Sequence, residues 1–280
     1  RLGESSPDRA VAQRNVSVTL EQMGNAYLQS GSIEQALSRY RECHALREQL
    51  AKSHPNKGQA QRDLMVANFK LGEAQRQKFA YAAAAQRYRD SVAVLDRMIA
   101  AGQLVKQSQR ERAVIAQRAK AAALAEVATG EWSQLLEKPT SEFAVLLSTR
   151  ISEMARQLRF AEVAQAAAKL RELAASGHVP SPENLFYDAA CGYSLCAQTL
   201  RAAGQQPLSP AEQATRKKWL ALSLDCLRQS LASGWKDMEH LQTDPDLSAI
   251  RAQPEFRELL ANPSAALSER PPQPLAPQTR

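Results

Sequence analysis

One stretch of this chain is a shifted copy of another. Ala12-Gln13-Arg14 returns as Ala60-Gln61-Arg62, Gly24 as Gly72, Ala36 as Ala84, and Arg39-Tyr40-Arg41 as Arg87-Tyr88-Arg89, every pair 48 residues apart. A fixed offset over several matches marks a structural unit used more than once, and such units bury their apolar faces against their neighbours. Within the first unit, Val16, Leu20, Met23 and Tyr27 recur at the spacing of one helix face. Gly31-Ser32 breaks that pattern. A second helix then carries Ile33, Leu37, Tyr40 and His44 on one stripe and stops at Ser53-His54-Pro55-Asn56. Each unit is therefore expected to be a pair of helices, A and B.

Aromatic residues make up only 5% of the 280 residues, and the strong helix formers Ala, Leu, Arg, Gln and Glu dominate. The expected fold class is all-α, an α–α superhelix of antiparallel helix pairs. Residues 1–11 read as a flexible lead-in, and 12–139 as repeats with units near 12–59, 60–106 and 107–139. The third unit is degenerate, with Arg110 aligned to Arg62 but Lys120 in place of the glycine. Residues 140–262 read as further helix pairs with capping helices. Phe143, Leu146, Leu147, Ile151 and Met154 form one stripe, a turn follows at Leu158-Arg159-Phe160, and Ser181-Pro182 starts another helix. Gly234-Trp235, Asp244-Pro245 and Gln253-Pro254 punctuate the end. Residues 263–280 are rich in Pro, Ser and Gln and are expected to be disordered.

The quoted residues resemble the tetratricopeptide repeat (TPR). That family places small residues where helices touch, and Gly24, Ala36, Gly72 and Ala84 fit, with Tyr27, Tyr40 and Tyr88 as the aromatic fillers beside them. Gln75 stands where the second unit would repeat Tyr27, and the 48-residue unit resembles the longer, kinesin-light-chain-like variety. The segment "SPENLFYDAACGYSLCA" and the closing "SGWKDMEHLQTDPDLSAIRAQPEFRELL" resemble the tail of bacterial serine/threonine kinases of the eukaryotic type. The resemblance implies a non-catalytic scaffold that binds a protein or peptide in a concave groove. Its alternative is the regulatory or recruitment region of a kinase whose catalytic domain lies upstream of Arg1, a reading the non-Met start suits. Helix A lines the groove in that family. The implied partner-binding residues are Glu21, Asn25, Leu28 and Gln29 in the first unit and Phe69, Glu73, Arg76 and Gln77 in the second. Some members clamp a partner's terminal carboxylate with Lys and Asn. Asn25 matches, but Glu21 puts a negative charge where a Lys is wanted, so no such clamp is expected.

The chemistry of an enzyme is missing from the sequence. The glycines are isolated, which excludes a phosphate-cradling loop, and none of His44, His54, His178 and His240 opens a kinase catalytic loop. Nothing implies a cofactor or a metal. His240 lies near Asp237, Glu239 and Asp244, which reads as a polar loop, and Trp132, Trp219 and Trp235 read as core and turn anchors. Cys43, Cys191, Cys196 and Cys226 form no CxxC pair and read as buried thiols. The formal charge is +7, concentrated over Lys106–Lys120, but both signs mix along the chain and few aromatics lie nearby. A solvated helix surface, not a nucleic-acid site, is expected there. No apolar run is long enough to span a bilayer and no signal peptide opens the chain, so a bacterial cytoplasmic location is expected.

Overall fold

A computed structural model describes residues 7–102, 107–202 and 207–262. Among these the chain is helical throughout, with no strand. It divides into two compact units, one ending at Glu126 and one beginning at Val127.

The first unit contains α1 (Pro7–Gln29), α2 (Ile33–Ser53), α3 (Gly58–Gln77), α4 (Tyr81–Ala100) and α5 (Gln107–Ala128), whose last residues fall beyond the division. The helices pack as consecutive neighbours: α1 on α2, α2 on α3, α3 on α4. The small and aromatic positions read from the sequence are the core of each pair. Ala36, Tyr40, Ala84 and Tyr88 are all fully buried, and Cys43 with them. Tyr27 is half-buried beside Leu28 and Ile33. Its replacement Gln75 leaves a buried side-chain oxygen without a partner.

The turns repeat as closely as the cores. At the end of α1, the Ser32 amide donates to the Tyr27 carbonyl at 2.8 Å and the Gly31 amide to the Leu28 carbonyl at 3.2 Å. At the end of α3, Ala80 donates to Gln75 at 2.9 Å and Phe79 to Arg76 at 3.0 Å. This is the Schellman closure of a helix, which needs one residue in the left-handed region. Gly31 supplies it with φ 76°, and Phe79, at the same place in the next unit, adopts φ 62°.

Two expectations need correction here. Helix α1 already runs from Pro7, because proline suits the first helical position, so helix replaces the lead-in expected over that part of residues 1–11. The stripe Val16, Leu20, Met23 and Tyr27 is not the buried face of α1. Val16 is 52% and Met23 39% exposed, while Ser17 and Gly24 are buried. The helix turns its small residues toward α2, because only they let the two backbones approach. The expected disorder of 263–280 lies outside the described residues.

The second unit holds α6 (Trp132–Leu136), α7 (Thr140–Arg156), α8 (Phe160–Ala175), α9 (Pro182–Ala202), α10 (Pro210–Ser233), α11 (Met238–Thr243), a 3-10 turn (Pro245–Leu247) and α12 (Pro254–Ala261). Helices α7 to α10 pack in sequence, and α9 also meets α7. Segment 127–139 was read as the second half of a third repeat. It is instead a five-residue helix held between Gly130 and Pro139, and it belongs to this unit. The α7–α8 turn repeats the Schellman closure, with Arg159 donating to Met154 at 2.9 Å and Leu158 at φ 59°. Ser209 and Glu212 form a reciprocal capping box at the start of α10, and Gly234 ends it at φ 117°.

Candidate functional site

The eight residues read as partner-binding fall in four pairs 48 apart: Glu21 with Phe69, Asn25 with Glu73, Leu28 with Arg76, Gln29 with Gln77. The structure places them on α1 and α3, the first helices of the two pairs. Several are already engaged inside the molecule. Tyr40 donates its hydroxyl to Asn25 Oδ1 at 2.8 Å, and Tyr88 donates to Glu73, the same contact one unit later. Lys70 Nζ, from the next A helix, also donates to Asn25 Oδ1 at 3.0 Å. One unit on, Arg118 of α5 lies 3.6 Å from Glu73. Position 25 or 73 is thus a polar hinge pin that joins its own helix B to the following helix A.

A second ladder runs beside it. Arg14 Nε donates to Asp63 at 2.7 Å, and Arg62 reaches Glu111 at 3.2 and 3.3 Å. Both members of this pair also shift by 48 between the two instances. These residues place α5 as the third A helix.

The other candidates divide by exposure. Glu21 is paired with the buried Arg47 at 2.6 Å, so its role is internal. Arg47 also donates to Ser17 Oγ and to the Asp63 carbonyl. Leu28 is half-buried in the α1–α2 core. Phe69 is half-buried, its ring 5.8 Å from that of Tyr88. Glu73 spends its carboxylate on Tyr88 and Arg118. Gln29 is exposed, Gln77 and Arg76 are half-exposed, and Arg76 Nε is a buried donor without a partner. On α5 the equivalent face is open: Val114 is 58% exposed, and Gln117, Arg118 and Ala121 are exposed with it. Of the polar face, therefore, Gln29, Gln77, Arg76, Lys70 and Arg118 retain surface to offer.

Burial governs the protonation of this face. The Tyr40 phenol is pushed up to about 12, first by burial and then by the Glu21 charge. Tyr88 is pushed higher, by burial and by its bond to Glu73. Both stay neutral donors at any physiological pH. His44, on the far side of α2, is lowered by burial and by Arg87, and meets Asn68 at 2.9 Å.

Compared with protein-family models, with curated proteins and with solved structures, the chain matches none. Its own geometry has to carry the functional reading.

The remaining sequence features resolve into internal contacts. In the basic stretch, Lys106 lies outside the described residues. Arg112 pairs with Asp96 and Arg118 with Glu73, which breaks the run into separate ion pairs. The loop around His240 is a clasp over α9. Tyr187 stacks on Trp235 at 4.1 Å and 5°, and donates to Asp244 Oδ2 at 2.7 Å. The same carboxylate receives the Cys191 thiol at 3.7 Å and lies 3.5 Å from His240 Nε2. Its other oxygen caps the 3-10 turn through the Asp246 amide. Burial and the neighbouring carboxylates raise the Cys191 thiol well above its usual range, so it is no nucleophile. All four cysteines are buried and unpaired. Among the described residues no three His, Cys, Asp or Glu side chains are grouped to hold a metal ion, and no helix is long and apolar enough to cross a membrane.

Sequence reasoning missed two buried arginines. Arg47 and Arg150 are 3% and 4% exposed. Arg150 donates to the carbonyls of Ala128 and Gly130 at 2.8 and 2.9 Å, where α5 ends, pairs with Glu162, and lies 5.4 Å over the Trp132 ring. A basic residue between apolar neighbours, as in Leu146-Leu147-Ser-Thr-Arg150-Ile151, was the available signal.

Proposed function

We propose that the chain is a non-catalytic TPR-type scaffold that binds a protein or peptide on the face made by α1, α3 and α5. The observation that supports this most is the double ladder of contacts at one offset: Asn25–Tyr40–Lys70 repeated as Glu73–Tyr88–Arg118, and Arg14–Asp63 repeated as Arg62–Glu111. Those contacts hold successive A helices side by side, the arrangement a groove needs. The cations Lys70, Arg76 and Arg118 border it, and Arg76 keeps an unused donor. A segment with a carboxylate for that edge and an apolar side chain for Phe69 and Val114 fits best, since arginine forks and aromatics dominate binding energy where they are desolvated. The bacterial cytoplasmic setting belongs to this same proposal.

The experiment is site-specific photocrosslinking in the source cells. A photoreactive residue at Gln77 or Gln117 should yield discrete adducts, and Phe69→Ala/Arg76→Ala in the same chain should remove them. The same probe at exposed Ala82 or Arg89 on α4 should not give those adducts. Adducts from α4 positions only, or adducts untouched by the double substitution in a folded protein, would refute the assignment.

A further inference from the structure

The stripe that fails to be buried on α1 has a second meaning. Ala12, Val16, Thr19, Met23 and Ala26 are all exposed. Their equivalents 48 residues on are Ala60, Leu64, Ala67, Leu71 and Ala74, and every one is buried or half-buried. The next equivalents on α5 that are described, Arg112, Ile115, Ala119 and Ala122, are buried or half-buried too. The same face of the A helix is covered in the second and third instances and open only in the first.

That open face has the spacing of a coiled-coil seam. Its five residues are separated by 4, 3, 4 and 3 positions, the alternation that keeps one stripe against a partner helix. The flanking positions are Gln13, Leu20 and Tyr27 on one side and Asn15, Gln22 and Gln29 on the other. None is charged, in a chain of which 23% is charged and whose formal charge is +7. The charges of the helix point elsewhere: Arg14 to Asp63 and Glu21 to Arg47.

We infer that this α1 face is a self-association surface, and that its occupant is α1 of a second copy, antiparallel across a two-fold axis near Glu21. In that register Val16 lies against Ala26 of the second copy and Thr19 against Met23 of the second copy, with the same two layers repeated beyond the axis. Each of the four layers sets a larger side chain against a smaller one, which lets two helices close without voids or overlap. A neutral seam with neutral flanks meets itself without like-charge repulsion, although both copies carry the same net charge. An isologous contact of this kind closes at two copies. The face offers fewer residues than the roughly 20 a side of a standard interface, so the dimer belongs to the weak, concentration-dependent class.

The test is sedimentation velocity on the full chain across a concentration series up to about 1 mM, the weak end of the affinity scale. Monomer should give way to dimer as concentration rises. Val16→Glu/Met23→Glu changes only exposed positions, so its helical content and melting should match the wild type. Its self-association should be weaker by on the order of 100-fold or more. Orientation is read from cysteines, since the four native thiols are buried. Val16→Cys/Ala26→Cys should form a disulfide-linked dimer on mild oxidation, and neither single substitution should. A chain that stays monomeric throughout overturns the inference, as does a dimer indifferent to the two glutamates. Single cysteines that crosslink as well as the pair overturn the antiparallel register.

Discussion

The ring of Tyr40 occupies the space a side chain at position 24 would need. A Cβ built on Gly24 comes within 2.6 Å of Tyr40 Cε1, nearer than carbon atoms approach, whereas the same atom on Gly72 stands 3.0 Å from Tyr88 Cε1. The two sites are one contact in two copies, so their difference is a controlled comparison. Replacing a mid-helix glycine by alanine normally stabilises by about 1 kcal/mol. At position 24 overpacking outweighs that gain, and Gly24→Ala should lose about 1–3 kcal/mol. Gly72→Ala needs a shift of only a few tenths of an ångström and should fall within about 1 kcal/mol of the wild type. Urea unfolding of both variants checks this, and equal losses would mean that the tyrosine ring moves freely.

Ala36 tests the other side of the same contact. It is fully buried where α2 meets its neighbours, while Gln35 is exposed. Ala36→Leu adds three carbon atoms to a filled space and should lower stability by about 1–3 kcal/mol. Gln35→Leu should stay within about 0.5 kcal/mol. Thermal melts of the two variants side by side distinguish them.

The Schellman turns give a prediction of opposite sign. Leu158 sits at φ 59° and is 72% exposed, so its side chain gains little from burial while its backbone bears the strain of the left-handed region. Leu158→Gly should stabilise the chain by about 1 kcal/mol. Gly31→Ala, at φ 76°, should destabilise it by about the same amount. Calorimetry showing Leu158→Gly to be the less stable form would place the value of Leu158 in contacts, not in conformation.

Helix pairing was legible because small residues at a constant offset announce close approach before any coordinates exist. Gly24, Ala36, Tyr40 and their counterparts fell where the pattern put them. The partner-binding face was less legible, because polar residues serve packing and recognition alike. Nothing local in the sequence says that Asn25 and Glu73 are spent on tyrosine hydroxyls and on the next helix. Apolar spacing on α1 gave the right stripe and the wrong partner: periodicity reports that a face packs, not which face has something packed on it. The third repeat failed for a length reason, since Trp132–Leu136 between Gly130 and Pro139 is too short to serve as a helix B. Phe79 and Leu158 in the left-handed region were hidden because side-chain preference points to glycine there.

Asp188 supplies a pH-dependent prediction. Its carboxyl is raised above the usual range, chiefly by burial and further by the Asp244 charge, against a smaller opposing effect of its bond to Ser148. A raised folded-state pKa means the folded protein binds this proton more tightly than the unfolded chain does. Below the unfolded value, near 3.9, both states are protonated and the site contributes its full stability. As pH rises through the interval between that value and the folded pKa, the unfolded chain ionises freely while the folded one ionises at a cost, and stability falls. Above the interval the loss is constant. Asp188→Asn removes the ionisation and keeps a polar group for Ser148. The variant should therefore be more stable than the wild type at neutral pH, by on the order of 1 kcal/mol. Its advantage should shrink toward pH 4. Asp246, raised by burial and by Asp244, should add a smaller effect of the same sign in Asp246→Asn, because it is less buried. Urea denaturation of the wild type and both variants from about pH 4 to pH 7.5 measures the trend. An advantage that does not change with pH would show that the Asp188→Asn substitution acts through packing, and an advantage that grows on acidification would reverse the sign argued for the Asp188 carboxyl.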